Sequence, residues 1–203
     1  MLGNSLHDFR TTTLEPDLLL TPFMVQTNWH VITGASCSGK TTLIDLLGDN
    51  GFQTRSEVAR QYFERELTKG RTIDEIRKDR TTFTCQVYDM MVKRESGLRA
   101  DEVTFLDRAL PDGLAFYRFA GLNPNEILSD CFQHRYASVF MLNRFPYQQD
   151  GVRAADDATA AYFESWTLRD YSALGYNVVR VPVLPPEERL AFVLERLSEL
   201  GLI

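Results

Sequence analysis

Hydrophobic and polar positions follow two alternating periods along this chain. Short apolar runs at residues 29–33, 103–106, 136–142 and 176–181, and a more mixed one at 52–56, read as strands. Between them apolar residues recur at helical spacing. Such stretches run to about Leu47, from Glu57 to about Leu67, over 72–96, from Pro111 to Phe119, from Pro124 to about Phe132, over 158–173, and onward from Pro185 and Pro186. Gly48-Asp49-Asn50-Gly51, Lys69-Gly70-Arg71, Gly175 and Gly201 stop the helices beside them. Thr72 and Glu75 have capping-box spacing at the head of one long helix. Ile73, Ile76, Phe83, Val87, Met90 and Met91 supply its apolar face, and Arg77, Lys78, Asp79 and Arg80 its polar one.

Strands that alternate with helices specify an α/β fold: a five-stranded parallel sheet with helices on both faces. Ligands bind such sheets beyond the carboxyl ends of the strands. The residues just after each strand are therefore the first place to look for chemistry. Residues 1–26 match no motif and read as an N-terminal arm, either flexible or laid on the sheet edge. Residues 27–203 read as one domain.

After the first strand stands Gly34-Ala35-Ser36-Cys37-Ser38-Gly39-Lys40-Thr41, which fills every fixed position of G-x-x-x-x-G-K-[ST]. Glycines permit the backbone angles and close approach that an anion needs. The loop's N–H groups and the following helix N-terminus then cradle phosphate. Lys40 is the expected partner of the β- and γ-phosphates and Thr41 the expected Mg²⁺ ligand, with Thr42 closing the binding stretch. ATP and Mg²⁺ are the implied cofactors.

The other strand ends carry more. Asp107 follows an apolar strand, where a carboxylate can hold Mg²⁺, and Arg108 is a fixed planar donor beside it. Glu57 follows the second strand and can take a proton from an attacking hydroxyl, with Arg60 one helical turn on. Arg144 and Arg153 flank a polar, irregular stretch that can close over the phosphates, with Asp150 and Asp156 as open-state partners. Phe83, Gln86, Phe116 and Tyr117 suit either an acceptor pocket or the core. His7, His30 and His134 fit no metal spacing.

Composition narrows the reading. Of 203 residues, 44% are hydrophobic and 25% charged, enough for a full core without staples. A net charge of -6 argues against broad nucleic-acid binding. Cys37, Cys85 and Cys131 are odd in number and widely spaced, which suits free thiols in a reducing cytoplasm. No stretch reaches the roughly 20 apolar residues of a transmembrane helix.

Residues 34–42, Ser56-Glu57-Val58-Ala59-Arg60, Leu106-Asp107-Arg108-Ala109-Leu110-Pro111-Asp112 and Gln149-Asp150-Gly151-Val152-Arg153 together resemble a small family of AAA-type P-loop domains. That family includes the ribosylnicotinamide kinase part of NadR. The chain is also similar, from residue 29 onward, to nucleoside and nucleotide kinases. The resemblance implies a three-layer P-loop NTPase fold with strand order 2-3-1-4-5 and a lid. It implies Glu57 as base, Arg108 as acceptor and phosphate ligand, and Arg144 and Arg153 as the lid. A second-region sensor is not recognisable. The expected activity is transfer of the ATP γ-phosphoryl group to a small nucleoside- or nucleotide-like acceptor. The alternatives are an ATP- or GTP-dependent switch and a simple ATPase.

Overall fold

The computed structural model describes residues 8–145 and 157–203. The main sheet contains β2 (Trp29–Thr33), β3 (Gln53–Arg55), β4 (Thr104–Asp107), β6 (Ser138–Leu142) and β7 (Val178–Val181). Its order is β3-β4-β2-β6-β7, and every pairing is parallel. Numbered along the chain, those five strands stand in the order 2-3-1-4-5. A separate two-stranded pairing joins β1 (Val25–Gln26) to β5 (His134–Arg135). The fold is the three-layer α/β arrangement that the alternating pattern predicts.

Central strands β2, β4 and β6 are buried throughout, as a sheet covered on both faces requires. One face carries Val31, Leu106 and Val139 and is covered by residues of α4 (Arg80–Ser96), α5 (Leu110–Phe119) and α6 (Asp157–Ala173). The other carries Ile32, Phe105 and Phe140 and is covered by α1 (Lys40–Asp49) and α7 (Pro186–Glu199). On α7, Val193 and Leu197 face the sheet, with Leu190 and Leu194 at the margin.

Three expectations need correction. The long helix over 72–96 is two helices, α3 (Ile73–Lys78) and α4. Asp79 ends the first at φ -90, ψ 60 and caps the second, its side chain accepting from Thr82 N. Aspartate offers its own backbone this alternative to helix, and here the alternative wins. The capping box at Thr72 and Glu75 is present. The helix expected after Pro124 is two short 3₁₀ turns, Pro124–Glu126 and Leu128–Phe132. The fourth main-sheet strand begins at Ser138 rather than Tyr136, and the fifth at Val178 rather than Tyr176.

Residues 8–26 lie on the domain. Leu14 is buried in the α4–α6 core. Arg118 Nε donates to Thr12 O at 2.6 Å, and Tyr162 Oη donates to Arg10 O at 2.9 Å. Arg118 also binds Asp170 in a fully buried bidentate pair at 2.6 and 2.9 Å. One guanidinium thus ties α5, α6 and the N-terminal segment together.

His30 sits at zero exposure in β2, with Nδ1 2.8 Å from Ser138 Oγ. Burial lowers its pKa to about 4. Between about pH 6.5 and pH 4 the unfolded chain takes up a proton that the folded chain refuses, so stability falls as pH falls through that window. We predict that His30→Asn flattens this part of the profile. Melting temperatures of both proteins from pH 7 to 4.5 test it, and parallel curves would refute it.

Candidate phosphoryl-transfer site

The phosphate loop turns between β2 and α1, and its shape follows from its glycines. Gly34 has φ 135, and a Cβ there would meet Leu142 O at 2.8 Å. Gly39 has φ 90 and precedes α1 directly. Cys37 also holds a positive φ, 59, which marks strain at the loop's exposed tip. Ala35, Ser38 and Lys40 are buried, whereas Ser36 and Cys37 are exposed. Lys40 folds back, Nζ donating to Ala35 O at 2.9 Å. Desolvation chiefly, with Arg108 adding to it, lowers the Lys40 pKa to about 8 against the pull of Asp107, Glu57 and Asp112. Thr41 follows in the first turn of α1, partly buried, with Thr42 exposed beyond it.

Glu57, Asp107 and Arg108 converge beyond the adjacent strands, as the parallel topology demands. Asp107 is the last residue of β4 and is 1% exposed. Its Oδ1 is buried without a hydrogen-bond partner among the described residues. Burial raises its pKa to about 6, although Lys40 and Arg108 oppose the rise. A buried carboxylate oxygen with an unfilled lone pair, together with the Thr41 hydroxyl, is the hard-oxygen donor set that suits Mg²⁺.

Arg108 adopts φ 65, which turns its side chain back across the strand ends. Nε donates to Glu57 Oε1 at 3.2 Å and Nη1 to Asp112 Oδ1 at 3.1 Å. Burial pushes the Glu57 carboxyl up, but the charges of Arg108 and Lys40 and the Arg108 hydrogen bond together hold it below the usual range. Glu57 is therefore ionised at neutral pH. Arg60 is exposed; its charge also favours the ionised Glu57, but the hydrogen-bonded partner of Glu57 is Arg108.

Two residues that shape this site escaped the sequence reading. Asp112, which the sequence offers only as the end of the stretch 106–112 and the second residue of the helix expected from Pro111, is wholly buried and accepts from Arg108, from Ala109 N at 3.1 Å, from Tyr171 Oη at 2.7 Å and from Thr33 Oγ1. Arg94 on α4 donates to Ser56 O at 3.3 Å, Asp107 O at 3.3 Å and Arg108 O at 2.6 Å. It ties the backbone before Glu57 to that of Asp107 and Arg108. In sequence it is one more charge on an amphipathic helix.

A cavity of about 420 Å³ opens against these groups. Ser36 of the loop and the charged groups of Glu57, Arg60, Glu64, Asp107 and Arg108 form its polar lining. Phe63, Phe83, Met91, Phe116 and Tyr117 line its apolar body. Of the residues weighed between pocket and core, Phe83, Phe116 and Tyr117 line the cavity, while Gln86 is exposed and does not. Arg144 stands after β6 and binds α6, through Asp157 at 2.7 Å and Glu164 at 2.7 Å. It does not line the cavity. Arg153 and its neighbours Asp150 and Asp156 lie outside the described residues.

Residues 29–189 match the AAA domain family, and the chain belongs to it. No curated protein matches the chain. Among solved structures, a NadR protein in complex with NR is similar with TM-score 0.60 and 17% identity. The match covers 85% of this chain and 50% of that one, so the chain spans half the length of that NadR protein. A deoxyadenosine kinase from M. mycoides is similar with TM-score 0.57 and 12% identity, over 85% of this chain and 99% of that one. A thymidylate kinase from Candida albicans has TM-score 0.53 and 14% identity, over 87% and 93%. At these identities the likeness is one of fold: a P-loop kinase-like domain.

Arg94→Met removes the donors of three backbone carbonyls at once. We predict a loss of about 2–3 kcal/mol of unfolding free energy, with Arg94→Lys recovering part of it. Denaturant titration measures this, and a loss under about 0.5 kcal/mol would mean that Arg94 does not brace the strand ends.

Proposed function

We propose that this protein is a cytoplasmic kinase that transfers the γ-phosphoryl group of ATP to a hydroxyl of a small nucleoside- or nucleotide-like acceptor. One observation carries the reading: a single cavity runs from the phosphate loop past an ionised carboxylate and a buried arginine into an aromatic chamber. A hydrolase needs only water at the loop, and such a chamber would serve it no purpose. The free thiols and the absence, among the described residues, of a helix long and apolar enough to cross a membrane accord with this setting.

In this reading the loop from Gly34 to Thr42 holds the triphosphate, and Lys40 leaves Ala35 O to reach the β- and γ-phosphates. Thr41 and Asp107 are the residues that would hold Mg²⁺, which when bound neutralises phosphate charge. The acceptor's planar body stacks among Phe83, Phe116 and Phe63, and its hydroxyl reaches Glu57. With its pKa held low, Glu57 orients the hydroxyl and receives its proton as the acceptor oxygen bonds to the γ-phosphorus and the bond to the β,γ-bridging oxygen breaks, releasing ADP. Arg108 then faces charge developing on the transferred group, its orientation set by Asp112. Arg144 and Arg153 are proposed to close over the phosphates.

The test is ATP consumption against a panel of nucleosides, nucleotides and ribosyl compounds. We expect stimulation by at least one acceptor. Phosphate release that no acceptor stimulates would favour a simple ATPase, and tight binding with almost no turnover a switch. Lys40→Ala should abolish turnover while leaving the melting temperature within a few degrees. Glu57→Gln should lower acceptor-dependent turnover by about 10²-fold or more without weakening ATP binding, which equilibrium titration checks.

A further inference from the structure

Behind the phosphate loop, on the side of the C-terminal helix, lies a buried cation with no carboxylate partner among the described residues. Arg189 stands in the first turns of α7 and is 2% exposed. Its Nη1 donates to Ser38 O. Its guanidinium stacks on the ring of Phe145 at 4.6 Å. Nε and Nη2 are buried and have no hydrogen-bond partner among the described residues. A Cβ at Gly39 would stand 3.0 Å from Nη1 and 3.7 Å from the Phe145 ring. The absent side chain is what lets the guanidinium lie flat against the loop.

An isolated buried charge costs several kcal/mol unless something compensates it. A fold that keeps one beside a loop built for phosphate is arranged around an anion. The peptide joining Ser38 to Gly39 shows how. It is planar and trans, as every described peptide is, so its carbonyl and its N–H point in opposite directions. Arg189 holds the carbonyl from behind. That fixes the Gly39 N–H toward the opposite side, where loop N–H groups meet phosphate. A charged donor on the carbonyl also polarises the peptide and strengthens its N–H as a donor.

We infer that Arg189 is a positioning residue of the phosphate site, a second cation that acts on bound phosphate through the Ser38–Gly39 peptide. The inference rests on the reading of residues 34–42 as a nucleotide site.

The test compares full-length wild type, Arg189→Met, Arg189→Lys and Lys40→Ala by calorimetric titration with MgATP and with inorganic pyrophosphate. Pyrophosphate has no base or ribose and isolates the phosphate cradle. We expect Arg189→Met to weaken both ligands by about tenfold or more, the scale of one charge-assisted hydrogen bond. Arg189→Lys should restore part of the loss. The Gly39 amide resonance should shift on pyrophosphate binding in wild type and much less in Arg189→Met. If Arg189 only fastens α7 to the sheet, Arg189→Met lowers the melting temperature and leaves pyrophosphate affinity within threefold, which overturns the inference. Where Lys40→Ala loses binding and Arg189→Met keeps it, only the Arg189 inference fails. Should Lys40→Ala bind both ligands as wild type does, the nucleotide reading fails as well.

Discussion

Five ionisable side chains meet at one edge of a parallel sheet, and the compatibility of their charges governs the rest of the site. Lys40 and Arg108 are cations, and Glu57, Asp107 and Asp112 are carboxylates. Two against three leaves one negative charge in excess if all ionise. Four of the five are buried to within 7% exposure, so the excess cannot be dispersed into water. Glu57 and Asp112 are spoken for by Arg108. The excess falls on Asp107, whose pKa rises to about 6 and whose Oδ1 has no partner among the described residues. A cluster that balances except for one unfilled carboxylate oxygen is electrostatically suited to a divalent cation arriving with a more negatively charged nucleotide.

Holding such a cluster requires a rigid frame, because each charge is tolerable only at its partner's distance. The parallel strands place the groups within reach but do not orient them. Orientation comes from the helical layer over that face. Arg94 on α4 fastens the strand ends, Asp112 on α5 aims Arg108, and Tyr171 on α6 holds Asp112. The buried Arg118–Asp170 pair locks α5 to α6, and Thr12 joins them through its carbonyl. The segment before the sheet thus contributes indirectly to the geometry of Arg108, through α5.

The sequence made the scaffold readable because scaffold signals are local. Short apolar runs marked the strands and apolar residues at helical spacing the helices, and a glycine-rich loop between strand and helix marked the candidate phosphate site. Glu57, Asp107 and Arg108 were legible because each follows a strand, and parallel strands all end at one edge. What was not legible depends on pairings distant in sequence. Arg94 meets Ser56 across 38 positions and Arg189 meets Ser38 across 151. In sequence both arginines are ordinary helix charges. Asp112 looked like a helix start because it is one. Its second role needs Thr33 and Tyr171, 79 and 59 positions away. Asp79 misled for the opposite reason. Its capping was local, but an unbroken apolar stripe on either side outweighed it.

The phosphate loop is therefore gripped from both sides by different physics. On the cavity side lie a charge cluster and an aromatic chamber. On the other lies one arginine sunk against the loop's outward carbonyl. If the protein is the kinase proposed above, these sides bear on the central problem of phosphoryl transfer to a small alcohol, which is competition from bulk water. An aromatic chamber offers water few hydrogen bonds, so an acceptor that fills it displaces solvent at little cost and brings its own hydroxyl to the carboxylate. The loop must then bind phosphate strongly without a large aqueous shell to help. Peptide N–H groups fixed before the ligand arrives do that without reorganising. For the proposed kinase, selectivity for an alcohol over water and tight fixation of the loop are thus two halves of one requirement, set on opposite faces of the same eight residues.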